Sequence, residues 1–481
     1  MFDWIVIGAG YGGVAAASLL QKRGFATCIL EAHSLIGGCA SYFKRKDFLF
    51  DVGATTFSAI LPNQPLGKLF HELEITPDLY KVDPGMIIKM NDQKITRFSD
   101  LDKWVNEVNK HFPDLKMNQF WNKINSLEKL AWEFIDQNSN LPPRTVSDLI
   151  SLIRFKNFNK IVLLKELFRS VLDELKSLQL QRDDFIQFLN EQLLITTQNR
   201  VDLSPMLTSA MGLSYPKETY YPIGGMYKPA QLLLNHFKES KGEIFLKEEV
   251  IQISFNKDCY LVRTKKGNIY KARGIISNLT TADMAKVTEG KIQSYFKKES
   301  SKLKNASGAF TIYFAVENNE ILDSLYYQIH FRKKIPFIEA GAFFVSFSKE
   351  GDLEKAPIGY RTVTISTHTN PVEWSDLSKD LYKEKKEFVM KEILGEFDFH
   401  FPKMKQKIFP LGGSPKTFAD YTGRHQGFVG GIPHSIQNNL IFMTPNVTPF
   451  QNLYMVGDTV FPGQGIPAVV LGAINVVNRI C

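Results

Sequence analysis

Residues 2–31 constrain the fold of this 481-residue chain more than any other stretch. The run Trp4–Ile7 is apolar without alternation and stops at glycines, which predicts a strand buried inside a parallel sheet. The glycines that follow, Gly8, Gly10 and Gly13, have the G-x-G-x-x-G spacing. The first would allow a tight turn, the second a close approach of the backbone to a pyrophosphate, and the third close packing of a helix on the sheet.

The residues after this turn complete the same pattern. A helix is predicted over 12–22, so its free N–H groups and the positive end of its dipole would face the phosphates. A second strand, predicted over 25–30, ends at Glu31, about 20 residues beyond the last glycine, where a carboxylate can bind ribose hydroxyls. An acid here disfavours a ribose 2′-phosphate. The stretch therefore predicts a dinucleotide site for FAD or NAD.

Length and composition set the broad class. A chain of 54.8 kDa is too long for one ordinary core, so two lobes are expected. With 44% hydrophobic and 22% charged residues the protein is globular. Its net charge of +8 suits an anionic surface, but the charge is spread along the chain without a nucleic-acid motif. We therefore predict contact with a membrane surface and no nucleic-acid partner.

Cysteine usage and hydropathy indicate the compartment. The four cysteines have neither C-x-x-C nor metal-ligand spacing, which predicts reduced thiols in the cytoplasm and no metal site. No basic and apolar leader precedes the first strand, so we expect no signal peptide. No uninterrupted apolar stretch reaches the roughly 18 residues needed to span a bilayer, so membrane contact is predicted to be peripheral.

Two further glycine motifs extend the dinucleotide pattern. Gly37-Gly38 lies just past the ribose-binding strand, and Asp51-Val-Gly53 returns the chain to the same crevice. Near the other end, a predicted strand runs into Gly457-Asp458 and a glycine-rich turn, and an apolar helix follows. These motifs resemble those of an FAD-dependent family, and the resemblance implies that the acid holds a ribityl chain and that the N-terminus of that helix favours negative charge on a reduced flavin ring.

The order of these motifs resembles the FAD-dependent amine oxidase and phytoene desaturase superfamily. The closing Pro462-Gly-Gln-Gly465 run is similar to its carotenoid branch, as are residues 414–433. Many members carry an Arg after the first glycine doublet, where this chain has Cys39, a substitution more similar to the carotenoid cis-trans isomerases. The contact that this Arg usually makes with the flavin is therefore not expected from position 39.

The resemblance implies an α/β fold with a Rossmann-like FAD-binding domain, of the second glutathione reductase type, and a discontinuous α+β substrate domain under a helical lid. The implied division places 1–62, 222–300 and 440–481 in the FAD-binding domain and 63–221 and 301–439 in the substrate-binding domain. The implied FAD-binding residues are Gly8, Gly10, Gly13, Glu31, Gly37, Gly38, Ser41, Val250, Gly457, Asp458, Pro467 and Ala468.

Catalytic side chains are harder to assign. No Ser-His-Asp set or pair of acids stands out, and only Arg424 and His425 are candidates, with turn bracing and loop hydrogen bonding as the alternatives. An apolar polyene needs no ionic clamp, so catalysis would depend on positioning and on the flavin. No cysteine lies in the closing motif, so FAD is expected to bind noncovalently.

A basic amphipathic helical tract is predicted near 147–182. Ile161, Leu164 and Phe168 begin an apolar stripe that continues through Val171, Leu175 and Leu178. Arg154, Lys156, Lys160 and Lys165 lie between Asp148 and Glu166, with no acid among them. The tract is interpreted either as a lid helix packed on the lobe or as an interfacial helix on acidic lipid.

The resemblance implies a flavoenzyme that acts on a carotenoid or similar long polyene. Desaturation is predicted ahead of isomerisation because net oxidation is the commoner outcome in the resembling family. The alternatives are a retinol or carotenoid saturase, an amine oxidase, and a non-enzymatic lipid-binding protein on the same fold. No second G-x-G-x-x-G indicates a nicotinamide domain, so electrons would leave to oxygen or a quinone, or stay on the flavin during isomerisation.

Overall fold

The computed structural model describes residues 1–138, 141–143, 145, 148, 150, 161–256 and 258–481. Its strands are β1 Phe2–Ile7, β2 Thr27–Glu31, β3 Tyr42–Arg45, β4 Phe48–Asp51, β5 Leu79–Lys81, β6 Met86–Met90, β7 Gln93–Arg97, β8 Tyr220–Pro222, β9 Glu243–Leu246, β10 Val250–Asn256, β11 Cys259–Thr264, β12 Ile269–Ser277, β13 Gly308–Glu317, β14 Tyr326–His330, β15 Ala342–Phe347, β16 Tyr360–Thr369, β17 Ile408–Gly413 and β18 Leu453–Met455.

The α-helices of the described residues are α1 Tyr11–Lys22, α2 Pro65–Glu72, α3 Leu101–His111, α4 Met117–Gln137, α5 Ile161–Glu166, α6 Val171–Leu178, α7 Asp183–Thr197, α8 Met206–Ser214, α9 Tyr227–Glu239, α10 Thr281–Val287, α11 Gly290–Ser300, α12 Lys379–His400, α13 Pro415–Thr422 and α14 Ile466–Ile480. Short 3₁₀ turns occur at Gly38–Ala40, Tyr215–Glu218, Ser301–Leu303, Pro371–Trp374 and His425–Gly427.

A mixed sheet carries the first glycine turn. Its order is β10-β11-β12-β1-β2-β9, and β18 pairs with β12. The pairs of β1 with β2 and with β12 are parallel, as is that of β12 with β18. Because parallel strands present their carboxyl ends at one edge, the turn after β1 and the turn after β18 come together there. The α/β Rossmann-like fold is thus confirmed, with α1 and α14 packed on one face.

A second sheet forms the other large layer. Its order is β17-β13-β16-β15-β14-β6-β7, and its pairs are antiparallel except for β14 with β6. The long helix α12 covers one face, where Val389, Ile393 and Phe397 pack with strand residues such as Phe314. A separate apolar cluster joins helices α3, α4, α7 and α8 and includes the edge-to-face rings of Trp104 and Trp121. The α+β character of this part follows from these two layers.

A buried ion pair ties the β4 turn to both parts of the chain. Lys355 Nζ donates to Asp51 Oδ2 at 2.7 Å, and both side chains are more than nine-tenths buried. The other carboxylate oxygen of Asp51 accepts the N–H of Met226 at 2.9 Å. Asp352 accepts the Tyr221 hydroxyl and the Gly224 N–H in the same way. The Asp-x-Gly and Pro-x-Gly-Gly turns are therefore fixed against each other by buried carboxylates.

The predicted helical tract near 147–182 is not one continuous helix over its described residues. Helix α6 starts anew at Ser170, whose Oγ accepts the N–H of Asp173, while the Asp173 carboxylate accepts the N–H of Ser170. This capping box satisfies N–H groups that a continuous helix would have paired internally. Arg154, Lys156 and Lys160 lie outside the described residues.

The break divides the apolar stripe into two parts. Ile161, Leu164 and Phe168 are exposed, whereas the stripe residues of α6 are buried in the helical cluster. Helix α6 is thus packed into the helical cluster, and the exposed side chains belong to α5 and the turn after it. Among the described helices, none has the length and apolar character needed to cross a membrane.

Candidate functional site

One cavity of about 2220 Å³ gathers most of the predicted site residues. Its lining includes residues from both ends of the chain and from the middle. The predicted residues that line it are Gly8, Gly10, Glu31, Gly37, Gly38, Ser41, Val250, Arg424, Gly457, Asp458, Pro467 and Ala468. Gly13 and His425 do not line it.

The first turn has the geometry that its glycines require. Gly8 has φ +94°, which is costly for a side chain with a Cβ atom. A Cβ atom on Gly13 would lie 2.0 Å from the carbonyl oxygen of Gly8, so only glycine lets α1 approach the turn this closely. Gly13 therefore positions the helix from behind, without lining the cavity itself.

Asn278, the first residue after β12, connects the first and last glycine motifs. A Cβ atom on Gly10 would lie 2.6 Å from Asn278 Nδ2, and one on Gly457 would lie 2.8 Å from Asn278 Oδ1. The side chain also lines the cavity. A polar residue directly after β12 was the one available signal, since ligands bind beyond the carboxyl ends of such strands.

Glu31 is held by backbone donors at the end of β2. Its Oε2 accepts the N–H of Ala9 at 2.6 Å, and its Oε1 accepts the N–H of His33 at 2.8 Å. Burial raises the pKa of Glu31, and these two hydrogen bonds oppose that rise. Each carboxylate oxygen keeps acceptor capacity for a ribose hydroxyl.

The Gly37-Gly38 segment runs alongside the first turn. Gly37 donates its N–H to the carbonyl of Ala9 at 2.8 Å and pairs with Gly10 in a parallel bridge. Nearby Ser41 is buried, and its Oγ has no hydrogen-bond partner among the described residues. A buried hydroxyl without a partner is costly unless a ligand completes it, so this part of the cavity fits a polar cofactor.

Asp458 is paired with a cation from a distant part of the chain. Arg424 Nη2 lies 2.9 and 3.1 Å from the two carboxylate oxygens of Asp458, and Arg424 Nε donates to the carbonyl of Phe428 at 2.8 Å. Burial raises the pKa of the Cys39 thiol, and the charge of Arg424 opposes the rise. This chain has Cys39 where many members of the resembling family have an Arg, but the Arg424 guanidinium lies near that position.

The remaining predicted residues occupy separate places. Val250 begins β10, and Pro467 and Ala468 lie in the first turn of α14, whose N-terminus borders the cavity. His425 makes an edge-to-face contact with Phe428, and its backbone N–H donates to Asp283 at 3.2 Å. These contacts are those of a residue that stabilises a loop, and they give His425 no access to the cavity.

The other part of the cavity is apolar. Its walls come from α4, α5, α8 and the turn after β18, and the described residues there include Phe134, Ile135, Leu163, Leu167, Leu207, Met211 and Phe461. Ile161, Leu164 and Ile441 line the cavity and are also exposed. The cavity therefore reaches the surface next to exposed apolar side chains.

Gln464 links the closing motif to the helical cluster. Its Nε2 donates to the carbonyl oxygens of Ile195, at 3.1 Å, and Thr196, and its Oε1 accepts from Gln198 Nε2. Gln198 also donates to the carbonyl of Gly430 at 2.7 Å. The glutamine of the Pro-Gly-x-Gly turn thus has a positioning role that its sequence alone did not indicate.

Comparison with known proteins identifies the family. The sequence model of the flavin containing amine oxidoreductases matches residues 11–481, so the chain belongs to that family. The chain is accordingly an FAD-dependent oxidoreductase. The glycine cradle, the Glu31 carboxylate and the unpartnered Ser41 hydroxyl fit that cofactor.

Curated relatives match over the whole chain. A chloroplastic prolycopene isomerase of Daucus carota is 26% identical over 502 residues, which cover 100% of this chain and 80% of that protein. An all-trans-retinol 13,14-reductase of Danio rerio is 23% identical, with 99% and 86% covered. A 4,4′-diapophytoene desaturase of Staphylococcus aureus is 23% identical, with 97% and 96% covered.

Solved structures agree with the fold. An oxidoreductase from Methanosarcina mazei superposes with a TM-score of 0.64 at 18% identity, over 99% of both chains. A cyclohexylamine oxidase from Brevibacterium oxydans superposes with a TM-score of 0.61 at 12% identity, over 100% of this chain and 99% of that one. At these identities the likeness concerns the fold alone.

Proposed function

We propose that this flavoenzyme desaturates or isomerises a long apolar polyene of the carotenoid class. The observation that carries the proposal is the large cavity, which joins the glycine motifs to the apolar part described above. We call this apolar part the apolar channel. A large apolar cavity suits a hydrocarbon chain, which gains free energy from burial and needs few polar contacts. The names of the relatives, an isomerase, a desaturase and a reductase of polyenes, support the same substrate class.

In this proposal FAD carries out the chemical step, and the side chains of the protein bind and position the cofactor and the substrate. FAD, when bound, supplies hydride transfer at its ring. The side chains of the channel hold the polyene in place and exclude water from it. Glu31 and Ser41 would hold the polar parts of the cofactor, and Arg424 keeps the Asp458 carboxylate oriented beside Gly457. Neither Arg424 nor His425 is needed for proton transfer in this proposal.

Anaerobic mixing with defined carotenoids tests the proposal. A desaturase should bleach the flavin absorbance when it is mixed with phytoene, and oxygen or a quinone should restore it. An isomerase should act on prolycopene only after the flavin is reduced, and its product should keep the mass of the substrate. The proposal fails if neither polyene changes under either condition while an amine yields hydrogen peroxide. Acid precipitation should release the flavin, as expected for noncovalent FAD.

We further propose that the protein attaches peripherally to membranes from the cytoplasmic side. An apolar rim, defined as Ile161, Leu164, Phe168, Ile441 and Phe442, is exposed, and three of its members line the cavity. The rings of Phe168 and Phe442 lie 6.1 Å apart, so the rim is continuous between two segments. A polyene dissolved in lipid could enter the cavity directly across such a rim. The four free cysteines support the cytoplasmic placement.

A further inference from the structure

A second cavity of about 170 Å³ adjoins the main one. The two cavities share lining residues, among them Gly53, Ala54, Ile195, Ser366 and His368, so the smaller one is a side pocket of the larger. It lies between the residues after β4, helix α7 and strands β15 and β16 of the second sheet. A molecule in the main cavity can therefore extend an end into the side pocket.

The side pocket differs from the apolar channel in its polar lining. Ser366 and His368 lie on β16, and Glu191 faces them from α7. Neither the Ser366 hydroxyl nor the His368 ring has a hydrogen-bond partner among the described residues. Burial lowers the pKa of His368 to about 4, so the imidazole is neutral near pH 7 and presents one donor and one acceptor.

Other polar groups of the side pocket are already paired. Gln328 Nε2 donates to the carbonyl of Glu191 at 3.0 Å, while Gln328 Oε1 accepts from Gln192. Thr367 Oγ1 donates to the carbonyl of Ala342 at 2.8 Å. The free hydrogen-bonding capacity therefore concentrates on Ser366 and His368, which are half-buried and line the pocket, so a polar group of a ligand can bind to them.

The size of the pocket limits what it can hold. An apolar cavity of about 150 Å³ in another protein accommodates benzene, so about 170 Å³ is enough for the end group of a polyene but not for a second chain. Neither Lys nor Arg is among the described residues that line it, and Glu191 faces it. A carboxylate end would meet a like charge without a counterion, whereas an alcohol or a ketone would not.

We propose that the side pocket binds a neutral, oxygen-bearing end group of the polyene, a hydroxyl or a keto group, through Ser366 and His368. A polyene that carries such an end group should then bind more tightly than the hydrocarbon of the same skeleton. This inference rests on the proposed function, because it assumes that the main cavity holds the polyene chain.

Zeaxanthin and β-carotene provide a matched pair of probes, since they share a skeleton and differ only in the ring hydroxyl groups. Binding to the FAD-loaded protein in detergent micelles can be followed by quenching of tryptophan fluorescence. The wild type should bind zeaxanthin at least tenfold more tightly than β-carotene. Ser366→Ala and His368→Leu should each reduce this ratio to threefold or less while leaving the β-carotene affinity within a factor of about two.

Thr208→Val is the control, because it removes a hydroxyl that lines only the main cavity. It should leave the ratio unchanged. Equal binding of the two probes by the wild type overturns the inference and leaves the proposed function standing. Binding of neither probe also overturns the inference, and the anaerobic test with phytoene and prolycopene then decides the proposed function separately. Ser366→Ala is the smaller change, so its flavin content and melting temperature show whether loss of the ratio reflects the pocket or a failure to fold.

Discussion

At the level of single residues, the cofactor part of the site is a set of backbone groups held in place by a few side chains. Glu31 accepts two backbone N–H groups, and Asn278 fills the space left by Gly10 and Gly457. These contacts exist within the chain itself, so they shape the crevice before any ligand enters it. Substitutions here should therefore change cofactor retention before they change chemistry.

Glu31→Ala should weaken FAD binding without lowering the turnover per bound flavin. The carboxylate would hold the ribose, far from the reacting ring, and loss of a charged hydrogen-bond partner costs roughly 1–3 kcal/mol. Flavin retention after serial dilution measures the effect. Glu243→Ala is the control, because Glu243 is an exposed acid on the adjacent strand β9. Full flavin retention by Glu31→Ala would contradict the assignment.

Arg424→Met should destabilise the protein strongly, because it leaves the Asp458 carboxylate in a mostly buried position without its partner. The side chains of the pair are only 15% and 18% exposed, and breaking a buried pair from one side costs about 3–5 kcal/mol. Urea unfolding of the flavin-free protein measures this loss. Adding Asp458→Leu should recover much of it. Additive losses in the double variant would show that the pair is not coupled.

The residue-level predictions that could be made from the sequence were those carried by local spacing. The glycine turn and Glu31 fall within one stretch of about 30 residues, and that stretch defines its own geometry. The pairing of Arg424 with Asp458 and the contacts of Asn278 with both glycine motifs depend on how distant segments meet. Nothing in the spacing of a single sequence specifies such pairs.

At the level of elements, the basic tract predicted near 147–182 is the feature with the clearest experimental consequence. Neutralising Arg154, Lys156, Lys160 and Lys165 should release the protein from acidic liposomes, since each basic residue near an anionic surface contributes about 1 kcal/mol. Flotation measures the bound fraction, and added salt should mimic the variant. Unchanged flotation of the variant would favour a segment that packs only on the protein.

Phe168→Ser combined with Phe442→Ser tests the apolar contribution separately. Both rings are exposed rim residues, so the double variant should bind acidic and neutral liposomes more weakly without losing flavin. Tyr421→Ser is a suitable control, because Tyr421 is a more exposed ring outside the rim. Equal loss of binding in the control would show that the rim has no special role.

The helical stripe shows why element boundaries are hard to predict. The apolar spacing through Phe168 and Val171 continues across the break, so periodicity alone predicted one helix. Ser170 and Asp173 form a capping box, which is a start signal that was present in the sequence. The capping box therefore determined where the new helix begins, although the apolar periodicity continues across that point.

At the level of the whole molecule, buried histidines make stability depend on pH. Burial lowers the pKa of His330, His368 and His434 to about 4 each, below the unfolded value of about 6.5. Between these values the unfolded chain binds more protons than the native one. Their contribution to stability is therefore complete above about pH 6.5 and falls as the pH drops toward 4.

His330→Leu should make this pH dependence shallower. Both ring nitrogens of His330 lack hydrogen-bond partners among the described residues, so leucine leaves no group unsatisfied. Removing one proton-binding group should reduce the slope of unfolding free energy between pH 4 and 6.5 by at most about 1.4 kcal/mol per pH unit. Urea titrations across this range measure the slope. An unchanged slope would place the titrating groups elsewhere.

The meeting of β1 and β18 on the two sides of β12 has a consequence for biosynthesis. The first glycine turn is translated long before Gly457 and α14, which complete its crevice only when the ribosome has passed Ile480. A nascent chain therefore carries a half-built crevice while the residues between these two segments are being made. FAD would be captured only after α14 has been made, so cellular flavin supply would determine how much of the polypeptide matures and escapes degradation.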